Sequence, residues 1–221
     1  MRRLFSLLFI VISIVACAPQ NISVGVDRQV ITVYADVFSE DALPALYACA
    51  ERSPELLLSR TPDIDSANII LRLTPDPGLS TTLYQVAEIE FVLAINVENP
   101  LSGLSTADIE AIYSGRMFNW AQLGWDDAPV HLWVYDPETG LNGLIFGPGR
   151  PSSLAKQAQS PRAMRDAILN DPYAIGFLPS KETLRQENIQ ILPFDQKIIL
   201  PVLAAIPDED PNILALVACL Q

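Results

Sequence analysis

The chain has 221 residues, half of them hydrophobic, and carries 14 basic against 26 acidic side chains for a net charge of -12. That hydrophobic content excludes a disordered chain, and the acidic excess excludes a nucleic-acid-binding surface, which needs clustered cations to displace counterions from phosphate. A buried site for one small anion is not excluded, because local amides and hydroxyls build such a site whatever the surface charge.

In chain order, Arg2 and Arg3 precede an apolar run over residues 4–15 broken only by Ser6 and Ser13, with small Ala16 before Cys17. This pattern predicts a secretory signal over 1–16, too short to span a bilayer comfortably. Ile14-Val15-Ala16-Cys17 resembles a lipobox, which makes Cys17 the lipidated first residue and 17–29 a polar tether to a membrane. Ordinary signal cleavage beside a chance cysteine is the alternative. Without residues 1–16 the balance is 12 basic against 26 acidic side chains.

Residues 30–35 (VITVYA) have the β-branched, nearly all-apolar pattern of a strand buried on both faces. Leu43, Leu46, Tyr47 and Ala50 then recur at helical spacing, with Pro44 tolerated in the first turn. Residues 55–59 and 67–73 read as two more strands, and Pro75-Asp76-Pro77-Gly78 as an exposed loop after the second. Residues 83–95 are a long strand that starts by alternating around Glu88 and Glu90, a solvated face, and ends wholly apolar.

Residues 101–124 are the most structured stretch. Ser105 is a good N-cap with Asp108 in the capping-box position, Leu104 and Ile109 stand where a hydrophobic staple would, and Gly115 favours a left-handed stop, so a helix should begin at Thr106. A strand over 130–135, a short helix over 141–146, a helix over 161–170 opened by Ser160-Pro161 with Ala163, Met164, Ala167 and Ile168 inward, and a strand over 174–178 follow. Residues 181–185 read as a turn or helix stub, 189–192 and 197–206 as strands, and 213–220 as a terminal helix capped by Asp210. Cys49 and Cys219 remain as an even pair on the first and last helices; an exported setting invites a disulfide, and two separately buried thiols are the alternative.

Enzyme signatures are absent: no nucleophile elbow, phosphate-binding loop, dinucleotide fingerprint, zinc-protease helix or paired-cysteine metal pattern occurs. Accordingly neither catalysis nor a cofactor is expected. The single histidine, His131, lies within a strand beside Trp133 and reads as a satisfied imidazole. Asp126-Asp127 and Asp208-Glu209-Asp210 read as solvated turns and a cap. Alternating strands and helices predict an α/β fold of mostly parallel, helix-covered sheets, whose ligands gather at strand carboxyl ends. Ser39, Thr74 and Thr139 to Asn142 follow three such ends.

Asn99-Pro100, Leu104-Ser105, Ile112-Tyr113-Ser114-Gly115, Asn119-Trp120 and Leu123-Gly124, with Pro172-Tyr173-Ala174-Ile175-Gly176-Phe177 later, resemble the phosphate-binding branch of the type 2 periplasmic binding proteins. The resemblance implies two lobes, residues 30–96 with 193–221 and residues 97–192, joined by hinge crossings near 96–102 and 189–195. It implies an extracytoplasmic, membrane-anchored lipoprotein that captures a small ligand for the permease of an ABC importer. A sensor or assembly module on the same fold is the alternative, and an extracytoplasmic enzyme is a third. The expected ligand-binding residues are Ser39, Thr74, Thr139, Gly140 and Asn142. The relatives' anion loop resembles R-x-x-G-S-G-T; this chain has Asp136 at the arginine position, Thr139 and Leu141 at the glycines, Gly140 at the serine and Asn142 at the threonine. An acid there repels a buried oxyanion; Arg162 and Arg165 on a neighbouring helix could supply cations, or at i, i+3 form a solvated face.

Overall fold

A computed structural model describes residues 28–74, 81–183 and 187–221. The signal segment, Cys17, most of the tether, the 75–78 loop and the end of the 181–185 stub lie outside the described residues. Among the described residues no helix is long and apolar enough to cross a membrane.

Strands β1 (Gln29–Ala35), β2 (Leu56–Arg60) and β3 (Ile69–Arg72) pair in parallel in the order β2-β1-β3. Ile31, Val33, Ile69 and Leu71 are fully buried, but β1 is not buried on both faces as expected. It buries alternate residues, with Val30 54% exposed and Thr32 and Tyr34 only half-buried, because one face packs on the core while the other meets solvent. Helix α1 (Leu43–Ala50) buries Leu43, Leu46, Cys49 and Ala50 and packs against the terminal helix α5 (Pro211–Leu220). A disulfide joins Cys49 to Cys219, with Cα atoms 6.1 Å apart.

Strand β4 (Leu83–Asn96) links the two halves of the sheet. Its residues 83–91 run antiparallel to β9 (Ile198–Ala205); at Phe91 it changes partner and runs antiparallel to β7 (Ala174–Pro179), with β8 (Ile189–Leu192) on its other edge. Strand β5 (His131–Tyr135) lies parallel to β7 on one side and to β6 (Lys156–Ala158) on the other. The order is therefore β2-β1-β3-β9-β4-β7-β5-β6, two parallel wings joined by antiparallel crossing strands. The expectation of mostly parallel sheets holds for the wings; the centre is antiparallel because β4 and β9 carry the chain out and back. The change of partner also falls inside β4, before the crossing expected at 96–102.

Helix α2 (Thr106–Tyr113) starts from a complete capping box: the Ser105 hydroxyl accepts from Asp108 N at 3.2 Å and the Asp108 carboxylate from Ser105 N at 3.1 Å. Gly115 then takes a φ of 76°, and a Cβ there would sit 2.7 Å from Ser152 Oγ, so both conformation and space demand glycine. In the connector Trp120 is fully buried, its Nε1 donating to the Tyr173 carbonyl at 3.1 Å. Helix α3 (Leu141–Phe146) follows β5, and α4 (Pro161–Leu169) packs on β7. Asn96 Nδ2 caps the end of α4 by donating to the Ile168 and Leu169 carbonyls, each at 3.0 Å.

Two expectations fail locally. Strand β6 was not expected, since Lys156-Gln157-Ala158 has no apolar run; it forms because β5 offers it an open edge. Ala163 is exposed, whereas Pro161, Met164 and Ile168 form the buried face of α4, because they recur at i, i+3 and i+7 on one face and Ala163 falls on the other side of the turn.

Candidate functional site

The strands of both wings end at one cleft of about 700 Å³, within the range usual for small-molecule sites. Asp36 follows β1, Arg60 closes β2, Arg72 closes β3, Asp136 follows β5 and Gln159 follows β6, and all five line it. A hydrogen bond links the wings across this cleft: Thr74 Oγ1 donates to the Thr139 carbonyl at 3.1 Å. Behind it Phe38 stands edge-on to Tyr135 at 4.8 Å, and the Tyr135 hydroxyl donates to the Phe177 carbonyl at 2.9 Å. Burial pushes the Tyr135 phenol far above its usual range, with the Glu182 charge adding to the shift, so this ring stays neutral in the core behind the cleft.

Asp36 and Asp136 occupy equivalent places, each the first residue after a parallel strand and each folding its own loop. The Asp36 carboxylate accepts from Phe38 N at 3.1 Å, Ser39 N at 2.8 Å and Leu73 N at 3.4 Å. Asp136 accepts from Glu138 N at 3.0 Å. Glu40 pairs with Arg60. The charged lining is thus Asp36, Glu40, Asp136 and Glu138 against Arg60 and Arg72, acidic on balance.

Of the residues expected from the sequence, Thr74 and Thr139 line the cleft and touch each other. Gly140 sits beside them with a φ of 68°, 3.8 Å from the Thr74 methyl if it carried a Cβ. Ser39 is buried behind the cleft, beside a smaller cavity of about 260 Å³, and its hydroxyl has no partner among the described residues. Asn142 is buried with both ends of its amide bound to the Tyr135 backbone. Arg165 pairs with Asp166 and Glu182, each at 2.9 Å, and neither it nor Arg162 lines the cleft. His131 is half-buried, Nδ1 lying 2.6 Å from Asp171 Oδ2.

Sequence reasoning missed Asp36, Arg60, Arg72 and Gln159 as lining residues. The first three close or follow strands that were recognised, so their position at a carboxyl end was the available signal; Gln159 follows a strand that was not.

No family model and no curated protein matches the chain. Solved structures do. The chain superimposes on an ABC-type phosphate transport receptor from Vibrio cholerae with a TM-score of 0.67 at 15% identity, covering 87% of this chain and 93% of that one. A phosphate ABC transporter substrate-binding protein with bound phosphate from Clostridium perfringens gives a TM-score of 0.71 at 16% identity over 86% and 92% of the two chains. The reduced OxyR regulatory domain from Pseudomonas aeruginosa gives 0.60 at 12% identity over 87% and 97%. Binding proteins and a regulatory domain thus share this architecture, and identities this low speak for the fold alone. With its helix-flanked sheet and two wings opposed across a cleft, the chain has the two-lobed fold of the type 2 periplasmic binding proteins.

Proposed function

We propose that this protein is an extracytoplasmic solute-binding lipoprotein, anchored through Cys17, that holds a small ligand between its lobes and presents it to the permease of an ABC importer. Residues 30–96 with 193–221 form one lobe and 97–192 the other, with the hinge crossings near 96–102 and 189–195. The observation that carries this reading is the Thr74 to Thr139 hydrogen bond across a cleft lined by strand ends of both wings. Thr74, Thr139 and Gly140 contact the ligand, and Ser39 and Asn142 hold the loops that frame it.

The relatives suggest phosphate, but the lining argues for a ligand with its own positive charge, because four carboxylates face two guanidinium groups and Asp136 stands where the anion loop needs arginine. Thermal shift with phosphate, amines, amino acids and sugars tests this. A ligand at a hundred times its dissociation constant adds about 2.7 kcal/mol of stability, so a cationic compound should raise Tm by several degrees. No shift with any of these compounds sinks the reading. Incorporation of labelled fatty acid, lost in Cys17→Ser, tests the anchor.

The similarity to a regulatory domain favours a second reading, a sensor or assembly module on the same fold. That reading expects no importer partner and a specific protein partner recovered by crosslinking in intact cells.

A further inference from the structure

We propose a second binding site, for an aromatic monocarboxylate, in a pocket of about 610 Å³ between α2, the 147–150 loop and the crossing strands. It shares no lining residue with the cleft. One wall is a continuous aromatic series. Tyr113 stacks on Phe146 with centroids 4.0 Å apart and planes 12° off parallel, Phe146 stands edge-on to Phe177 at 5.2 Å, and Phe177 edge-on to Phe194 at 5.6 Å. Such a surface takes a planar ring by offset or edge contact.

The remainder of the lining supplies the charge. Arg116 and Arg150 both line the pocket and are exposed, and neither forms an ion pair among the described residues. Among the described residues Glu110 is the one acid in the lining. The pocket is therefore basic on balance in a chain of net charge -12, opposite in sign to the cleft. A guanidinium group receives a carboxylate through paired hydrogen bonds, and an apolar wall beside it rewards a ligand whose remaining body is ring.

Local folding brings the two arginines to one pocket. Gly115 and Ser152 approach so closely that only glycine fits, and Ser152 N donates to the Tyr113 carbonyl at 2.7 Å. Arg116 follows the first partner of that contact and Arg150 precedes the second. The Tyr113-Ser114-Gly115 segment thereby sets both the aromatic wall and its cationic rim.

Isothermal titration of the whole protein with 2-naphthoate tests the site. We expect saturable binding, weakened at least about tenfold in the Arg116→Ala/Arg150→Ala double variant and by a similar factor for uncharged 2-naphthamide, that is about 1.4 kcal/mol each. Both arginines are exposed, so the double variant keeps its fold, checked by circular dichroism. Asp136→Ala, a cleft variant, should leave naphthoate affinity unchanged. Absence of binding at about 10 mM naphthoate, equal affinity for the amide, or loss of binding in Asp136→Ala with retention in the double variant overturns the proposal.

Discussion

Tyr135 and Asn142 hold each other by two hydrogen bonds: Tyr135 N donates to Asn142 Oδ1 at 3.1 Å, and Asn142 Nδ2 donates to the Tyr135 carbonyl at 2.6 Å. The side chain thus closes the end of β5 in place of a neighbouring strand and fixes the start of α3 against it. Asn142→Ala leaves one buried N–H and one buried C=O without a partner, so it should cost about 2–3 kcal/mol. A lower urea midpoint with an unchanged slope is the expected outcome.

Asp136 tests the electrostatics of the cleft. Asp136→Arg replaces a carboxylate at the end of β5 with the cation that the resembling anion loop carries, so phosphate affinity should rise at least about tenfold, or 1.4 kcal/mol. Calorimetric titration of both forms with phosphate measures this, and no gain would mean that the neighbouring acids Asp36 and Glu138 still dominate the site.

Reducing the Cys49–Cys219 bridge should weaken the fold without erasing it. The bond closes a loop of 170 residues, worth about 5 kcal/mol in the chain-entropy model, with 2–5 kcal/mol usual on removal. Urea denaturation with and without reductant, alongside Cys49→Ala/Cys219→Ala, should give matching losses.

Asp210 predicts a pH dependence. Hydrogen bonds from Asn212 N and the Gln29 amide hold its carboxyl below the ordinary value of 3.8. A depressed acid stabilises the fold above its unfolded pKa, and that contribution disappears as pH falls through the folded one. Asp210→Asn, which keeps an N-cap oxygen but removes the charge, should therefore lower Tm slightly at pH 7, with the difference from wild type shrinking once pH drops below about 3.8. Parallel melting curves from pH 7 to strongly acid solution check the sign.

How far the sequence could be read depended on how local each signal was. Ser105, Asp108 and Gly115 announce α2 because a capping box and a left-handed stop involve residues a few positions apart. Val33 and Ile69 announce strands because β-branched residues recur in short apolar runs, although β1 buries only alternate residues and leaves Val30 exposed. Lys156-Gln157-Ala158 announces nothing, since its strand exists through the edge of β5 alone. The cleft follows the same logic. Thr74 and Thr139 follow strands and were candidates at once, whereas Arg60 directly follows its expected strand and Arg72 sits inside one, and the parallel direction of β1, β2 and β3 brings their ends to one cleft. Asn142 shows its partner only in three dimensions, when its amide meets the backbone of a residue seven positions earlier.

The exchange of partners at Phe91 makes β4 a common axle. Neither half can melt away and leave the other intact, because the same backbone supplies ladder bonds to β9 on one stretch and to β7 and β8 on the next. Two bodies in outline should accordingly behave as one cooperative unit. Heat should give a single calorimetric transition, and the amide protons of residues 91–95 should be among the last to exchange with solvent, released only when the entire molecule opens.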